Sequence, residues 1–111
     1  LHATLDGPSV TYGGDPNGEG SFTASVDQGN DRICYQLRAS NIGTSVRAHI
    51  HEGGTGSPGR PVVNLVVDND QCVEVPQSVL NDILDNPSNY YVDILTSAYP
   101  QGAIRGQLVY N

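Results

Sequence analysis

Apolar and polar side chains alternate along most of the chain. Leu1, Ala3 and Leu5 are interleaved with His2 and Thr4, and Phe22, Ala24 and Val26 with Ser21, Thr23 and Ser25. The same pattern runs through Ile33, Tyr35 and Leu37, through Val46, Ala48 and Ile50, through Val92 and Ile94, and through Ile104 and Leu108. A strand turns successive side chains to opposite faces, so each segment predicts a strand with one buried face. Val46, Ala48 and Ile50 are thereby assigned to the core, and Arg47, His49 and His51 to the outside. Val62 to Val67 is more continuously apolar and predicts a strand buried on both faces. Gly, Pro, Asn and Asp punctuate the intervals, as turns require. Many short strands at this spacing predict an all-β sandwich or barrel.

One stretch breaks the period. Between Pro76 and Leu84, the residues Val79, Leu80, Ile83 and Leu84 share a helical face. Pro76 suits a first helical turn and Asn86-Pro87 stops the helix, so one short helix near 77–84 is expected inside a crossover. No internal repeat, low-complexity tract or linker divides residues 1–111, which read as a single domain.

Charge narrows the functional classes. Five arginines, no lysine and 12 acids give a net charge of -7, and the pI is near 4.5. Without a basic cluster, neither nucleic-acid phosphates nor an anionic membrane surface is an expected partner. No apolar run approaches the ~18 residues of a membrane helix, so no membrane insertion is expected. The two cysteines, Cys34 and Cys72, lie in strand-like segments, and their expected disulfide points to a secreted or periplasmic setting. The alternative is a pair of free buried thiols. The numbering opens on Leu1, as in a processed chain, and no signal segment is visible.

The sharpest chemical feature is Ala48-His49-Ile50-His51-Glu52-Gly53-Gly54. Residues i and i+2 on a strand share a face, with Cα atoms roughly 7 Å apart, so two imidazoles can converge on one ion. Zinc and copper are both candidate ions for such a site. The plainer alternative is two ordinary exposed histidines. A pair is an incomplete ligand set, and the additional candidates are Glu52, Asp93 and His2, with Leu95 also expected to face outward.

The His-x-His segment, followed by Gly56-x-x-Gly59-x-Pro61-Val62-Val63, Asn86-Pro87-x-x-Tyr90-Tyr91-Val92 and Tyr99-Pro100-x-Gly102-Ala103-Ile104-Arg105-Gly106-Gln107-Leu108, resembles the CHRD domain. That module is named from chordin and occurs in many bacterial secreted proteins. Ala3-Thr4-Leu5-x-Gly7 and Cys34-Tyr35-x-Leu37 also fit, so the resemblance spans essentially the whole chain. More distantly, the chain is similar to Cu,Zn superoxide dismutase, whose fourth strand carries a copper-binding His-x-His followed by Glu and Gly. These resemblances imply a Greek-key β-sandwich or barrel of about eight strands, superoxide-dismutase-like. Leu95 occupies the place of a further copper-ligating imidazole, and no bridging histidine follows His51. Arg105 sits where the dismutase has an anion-attracting arginine; a surface arginine bonding loop carbonyls is the alternative. With the first strand about three strands from the pair, ~14 Å at the usual spacing, His2 is expected to lie too far away within one chain.

Three functions follow. The first is non-catalytic copper handling, or metal-supported binding, at His49 and His51. The second is a metal-free extracellular protein-interaction module. The third is a dismutase-like copper oxidoreductase, weakened by the missing imidazoles. A monomer or weak dimer is expected. Asp15-Pro16-Asn17-Gly18-Glu19-Gly20 opens like a calcium loop, but its twelfth position is Val26, so it reads as a turn. Asp68-Asn69-Asp70 reads as a solvated turn.

Overall fold

The computed structural model describes residues 1–110. Eight strands follow in order: β1 (His2–Asp6), β2 (Glu19–Asp27), β3 (Arg32–Ser40), β4 (Ser45–Glu52), β5 (Pro61–Leu65), β6 (Asn69–Glu74), β7 (Tyr90–Thr96) and β8 (Ile104–Gln107). A helix, α1 (Gln77–Asp85), lies between β6 and β7. All strand pairs are antiparallel, in the order β5-β4-β7-β8-β1-β2-β3-β6. β5 and β6 stand at opposite ends of that order yet are joined by residues 66–68 alone. Three residues span only about 10 Å, so the sheet must curl until its ends almost meet. The result is the expected Greek-key barrel, nearly closed. Within the seam, Tyr35 accepts a hydrogen bond from the Val66 amide at 2.9 Å through its hydroxyl.

The predicted alternation fills the barrel. Phe22, Ile33, Leu37, Ile50, Val92, Ile94 and Ile104 are fully buried. Leu80 and Ile83 of α1 join the same core, so the helix seals it from the crossover. Pro76 takes the N-cap rather than the first turn. The pyrrolidine is tolerated there for the same reason: no helical N–H is lost.

Two strand expectations fail. Val46 is 61% exposed rather than in the core. The β4–β7 register shifts between Ser45 and Arg47, and this irregularity puts Val46 out of phase with Ala48 and Ile50. The Val62 to Val67 run is not buried on both faces. β5 is an end strand with Val63 and Leu65 inward, while Asn64 and Val66 are exposed. The strand that is covered on both faces is β7, near the middle of the sheet and buried at every position except Leu95, which is half-buried.

Cys34 and Cys72 form a disulfide between directly opposed residues of β3 and β6, as expected. The Asp15 to Gly20 segment is a turn entering β2, in which the Asp15 carboxylate accepts from the Asn17 amide. Asp68 adopts a left-handed conformation before β6, and Asp70 pairs with Arg38. No helix among the described residues is long and apolar enough to cross a membrane.

Candidate metal centre

β7 lies between β4 and β8, and its register builds the site in two rows. His49 opposes Asp93, which opposes Arg105 on β8. His51 opposes Tyr91, which opposes Gln107. These side chains share the face away from the core because Ile50, Val92 and Ile94 take the inner one.

The outward parity predicted for the two histidines therefore holds, but the face is not open to solvent. Their side chains are only 14% and 13% exposed, and Asp93, expected to face outward, is buried. The cover is the loop of residues 53–60, which folds back over the sheet. A Cβ on Gly59 would sit 1.4 Å from the Glu52 carbonyl oxygen, so only glycine permits that approach. The Gly59 amide donates to the Tyr91 hydroxyl at 3.0 Å, and the Gly59 carbonyl lies 2.9 Å from His51 Nδ1.

One carboxylate oxygen organises both imidazoles. Asp93 Oδ1 is 3.0 Å from His51 Nε2 and 3.7 Å from His49 Nδ1. One candidate ligand atom from each of the three residues lies within 4.8 Å of the others. A neutral imidazole has one N–H, whereas His51 faces two acceptors, the Gly59 carbonyl and Asp93. Without a metal, only the imidazolium satisfies both. Burial opposes that charge, but the hydrogen bond and charge of Asp93, helped by the Gly59 carbonyl, outweigh it and raise the His51 pKa. His49 is shifted the other way. Burial lowers its pKa, Asp93 pulls against that, and the neighbouring His51 and Arg47 charges add to the lowering.

His49 Nδ1 is buried without a hydrogen-bond partner. A buried ring nitrogen left without a partner costs free energy unless something occupies it. His51 Nε2 and Asp93 Oδ1, 3.0 Å apart, lie close enough that both could hold one ion. If the Gly59 carbonyl accepts from Nδ1–H of His51, Nε2 would be left as a lone pair that could hold a metal. The residues present thus fit a metal held by two imidazoles and a carboxylate.

The surroundings brace these groups. The His51 ring stacks on Tyr91 with centroids 4.8 Å apart and planes 2° apart. Arg105 places its guanidinium carbon 3.4 Å from the centre of the same tyrosine ring. It donates to Thr11 Oγ1 at 2.7 Å, to the Gly54 carbonyl at 2.7 Å and to Gln107 Oε1 at 3.0 Å. Gln107 in turn donates to the Gly53 and Ser88 carbonyls. Arg105 therefore bonds a loop carbonyl, as its plainer reading expects, but from a buried position rather than the surface. Burial lowers its pKa, with Tyr91 and Asp93 opposing the shift. Its donors hold loops together, so it is not set out to attract anions.

Of the additional ligand candidates, only Asp93 joins the pair. Glu52 is exposed and faces Arg60 at 4.0 Å. His2 lies on β1, separated from β4 by β8 and β7, and its backbone pairs with Val109. The sequence reading missed Tyr91, Gly59, Gln107 and Thr11. The doubled Tyr90-Tyr91 at the head of a strand was the available signal, since it breaks the alternation.

Neither the curated proteins nor the solved structures yield a match to this chain. The CHRD domain family model matches residues 1–108. With the Greek-key barrel and its His-x-His strand in place, that match over nearly the full length means the chain belongs to the CHRD domain family.

Proposed function

We propose that this CHRD domain is a secreted or periplasmic module that binds a transition metal, with copper favoured, through His49 and His51, and that Asp93 completes a three-donor set. The observation that carries the reading is the buried, unpartnered Nδ1 of His49 beside the Asp93 carboxylate that also contacts His51. Two imidazoles and a carboxylate suit Cu(II) and Zn(II), and divalent copper is bound more tightly by such donors. CHRD domains are typically extracellular, and the Cys34–Cys72 disulfide fits an oxidising compartment. The role is copper handling or metal-supported binding without turnover. A bound metal would supply Lewis acidity and a fixed positive charge on this face. The protein's own part is to fix the ligands: Gly59 sets the His51 tautomer, Tyr91 holds its ring plane, and the 53–60 loop limits access of water.

Titrating Cu(II) into the metal-stripped protein and into a His49→Ala/His51→Ala variant tests the reading. Wild type is expected to bind one equivalent, and the variant to bind far more weakly. Equal affinity in both sinks the proposal.

A second reading is favoured by the His51–Asp93 contact itself, which already satisfies both groups as an ion pair. Under that reading the domain is a metal-free extracellular protein-interaction module, contacting its partner through loops such as 53–59. It predicts no stoichiometric metal when untagged protein is subjected to elemental analysis.

A further inference from the structure

Three protein donors leave at least one coordination position on a bound metal open to an outside ligand. The two ends of the site differ in how that position is approached. The His51 end is closed by Gly59 and Tyr91, with Arg105 bracing the loop behind them. The His49 end is flanked by Arg47, two residues earlier on β4 and opposite Leu95, and by Asn64 on β5 directly across from His49. The register is regular from Arg47 to His51, so Arg47 and His49 share the outward face. Arg47 and Asn64 are both exposed.

Arg47 is also the arginine whose guanidinium has no bonded partner. Arg32 pairs with Asp27, Arg38 with Asp70 and Arg60 with Glu52, while Arg105 is consumed by Thr11, Gly54 and Gln107. Among the described residues, the Arg47 side chain has neither an ion pair nor a hydrogen bond, although its charge acts on His49. A divalent metal, one carboxylate and two neutral imidazoles sum to a single positive charge, and Arg47 adds a second beside it. This local excess stands out in a chain of net charge -7.

We propose, resting on the metal reading above, that the open position takes a small carboxylate-type monoanion, with one oxygen at the metal and the other on the Arg47 guanidinium. A planar carboxylate matches the guanidinium fork, and two nearby positive charges favour a monoanion over a neutral ligand. The acidic surface elsewhere disfavours larger or more highly charged anions, and salt weakens the contact because Arg47 is exposed.

The test uses copper-loaded wild type and Arg47→Gln, read by electron paramagnetic resonance and visible absorption during titration with formate. Formamide serves as the uncharged control. Formate is expected to shift the wild-type copper spectrum saturably, with binding about tenfold weaker in Arg47→Gln. Copper affinity itself is expected to be undiminished in that variant, and formamide is expected to give no comparable shift. An unchanged spectrum in copper-loaded wild type overturns the inference, as does equal formate affinity in the two proteins or an equal response to formamide. Failure of wild type to take up copper overturns the metal reading and this inference with it.

Discussion

Replacing Asp93 with Asn keeps the side-chain shape and removes the charge that both histidines face. Its oxygen lies 3.0 Å from His51 Nε2, with the two side chains 9% and 13% exposed. At an effective dielectric of ~20, unit charges at that distance attract by about 5 kcal/mol. Desolvating both ions cancels much of this, leaving a loss of about 2 kcal/mol, within the range for a hydrogen bond to a charged group. The loss depends on pH. The folded-state pKa of His51 is raised, so its contribution is complete below the unfolded value of ~6.5 and is lost as pH rises through the raised value. His49 acts with the opposite sign: its pKa is lowered, so stability falls as pH drops from ~6.5 through the folded value. Removing Asp93 steepens that fall, so both effects enlarge the cost of the substitution in acid. Urea unfolding with a chelator present is expected to show a deficit of about 2 kcal/mol for Asp93→Asn at pH 5.5, shrinking below ~1 kcal/mol at pH 9. Copper should reverse the trend, because ligating imidazoles must be neutral, so the stabilisation it adds grows with pH. A deficit of equal size at both pH values, or a larger one at pH 9, refutes the reasoning.

Other perturbations probe separate parts of the molecule. Replacing both Cys34 and Cys72 with Ser removes a link across a sequence separation of 38 and should cost about 4 kcal/mol by chain entropy, read from urea unfolding; a cost under ~1 kcal/mol contradicts it. Gly59→Ala forces the loop off the Glu52 carbonyl and should weaken copper binding about tenfold with an unchanged far-ultraviolet dichroism spectrum; undiminished affinity would show that the loop contact to His51 is immaterial. Burial and the Asp82 hydrogen bond push the Tyr90 phenol upward, so wild-type stability should decline above pH ~10, where the unfolded chain ionises first. Tyr90→Phe should show a shallower alkaline decline in chemical denaturation, and an identical slope would argue against the shift.

The period-two pattern was enough to locate most of the strands, because a half-buried strand writes its inner face directly into the sequence. It was enough, too, to turn His49 and His51 away from the core. It failed where burial has another source. Asp93 alternates with Val92 and Ile94 as an outward residue should, but the loop that buries it comes from 53–60, far away in the chain. Arg105 is hidden by that loop and by Thr11 in the same way. Val46 was misassigned because a register shift moves phase without changing composition. Val62 to Val67 misled because an end strand and its turn can carry apolar residues that no second layer covers. Asp93 was therefore visible as a candidate neighbour of the pair, and the loop that covers the cluster was not.

The position of β8 in the sheet has a consequence for how the molecule is completed. β5, β4 and β7 form one hydrogen-bonded block, and β1, β2, β3 and β6 form another. Ile104–Gln107 pairs along its length with β7 and meets β1 at Asp6–Arg105, and Val109 just beyond it adds a bridge to His2. Gly106 makes that fit possible, since a Cβ there would sit 2.1 Å from the Thr4 carbonyl oxygen. The pairing of β8 with β1 joins strands far apart in sequence, the slow kind of contact in folding. Arg105, which fastens the loop over the histidines, travels on the same strand. Closure of the barrel and fastening of the loop over the histidine face thus depend on the same strand, so loss of β8 would open both together.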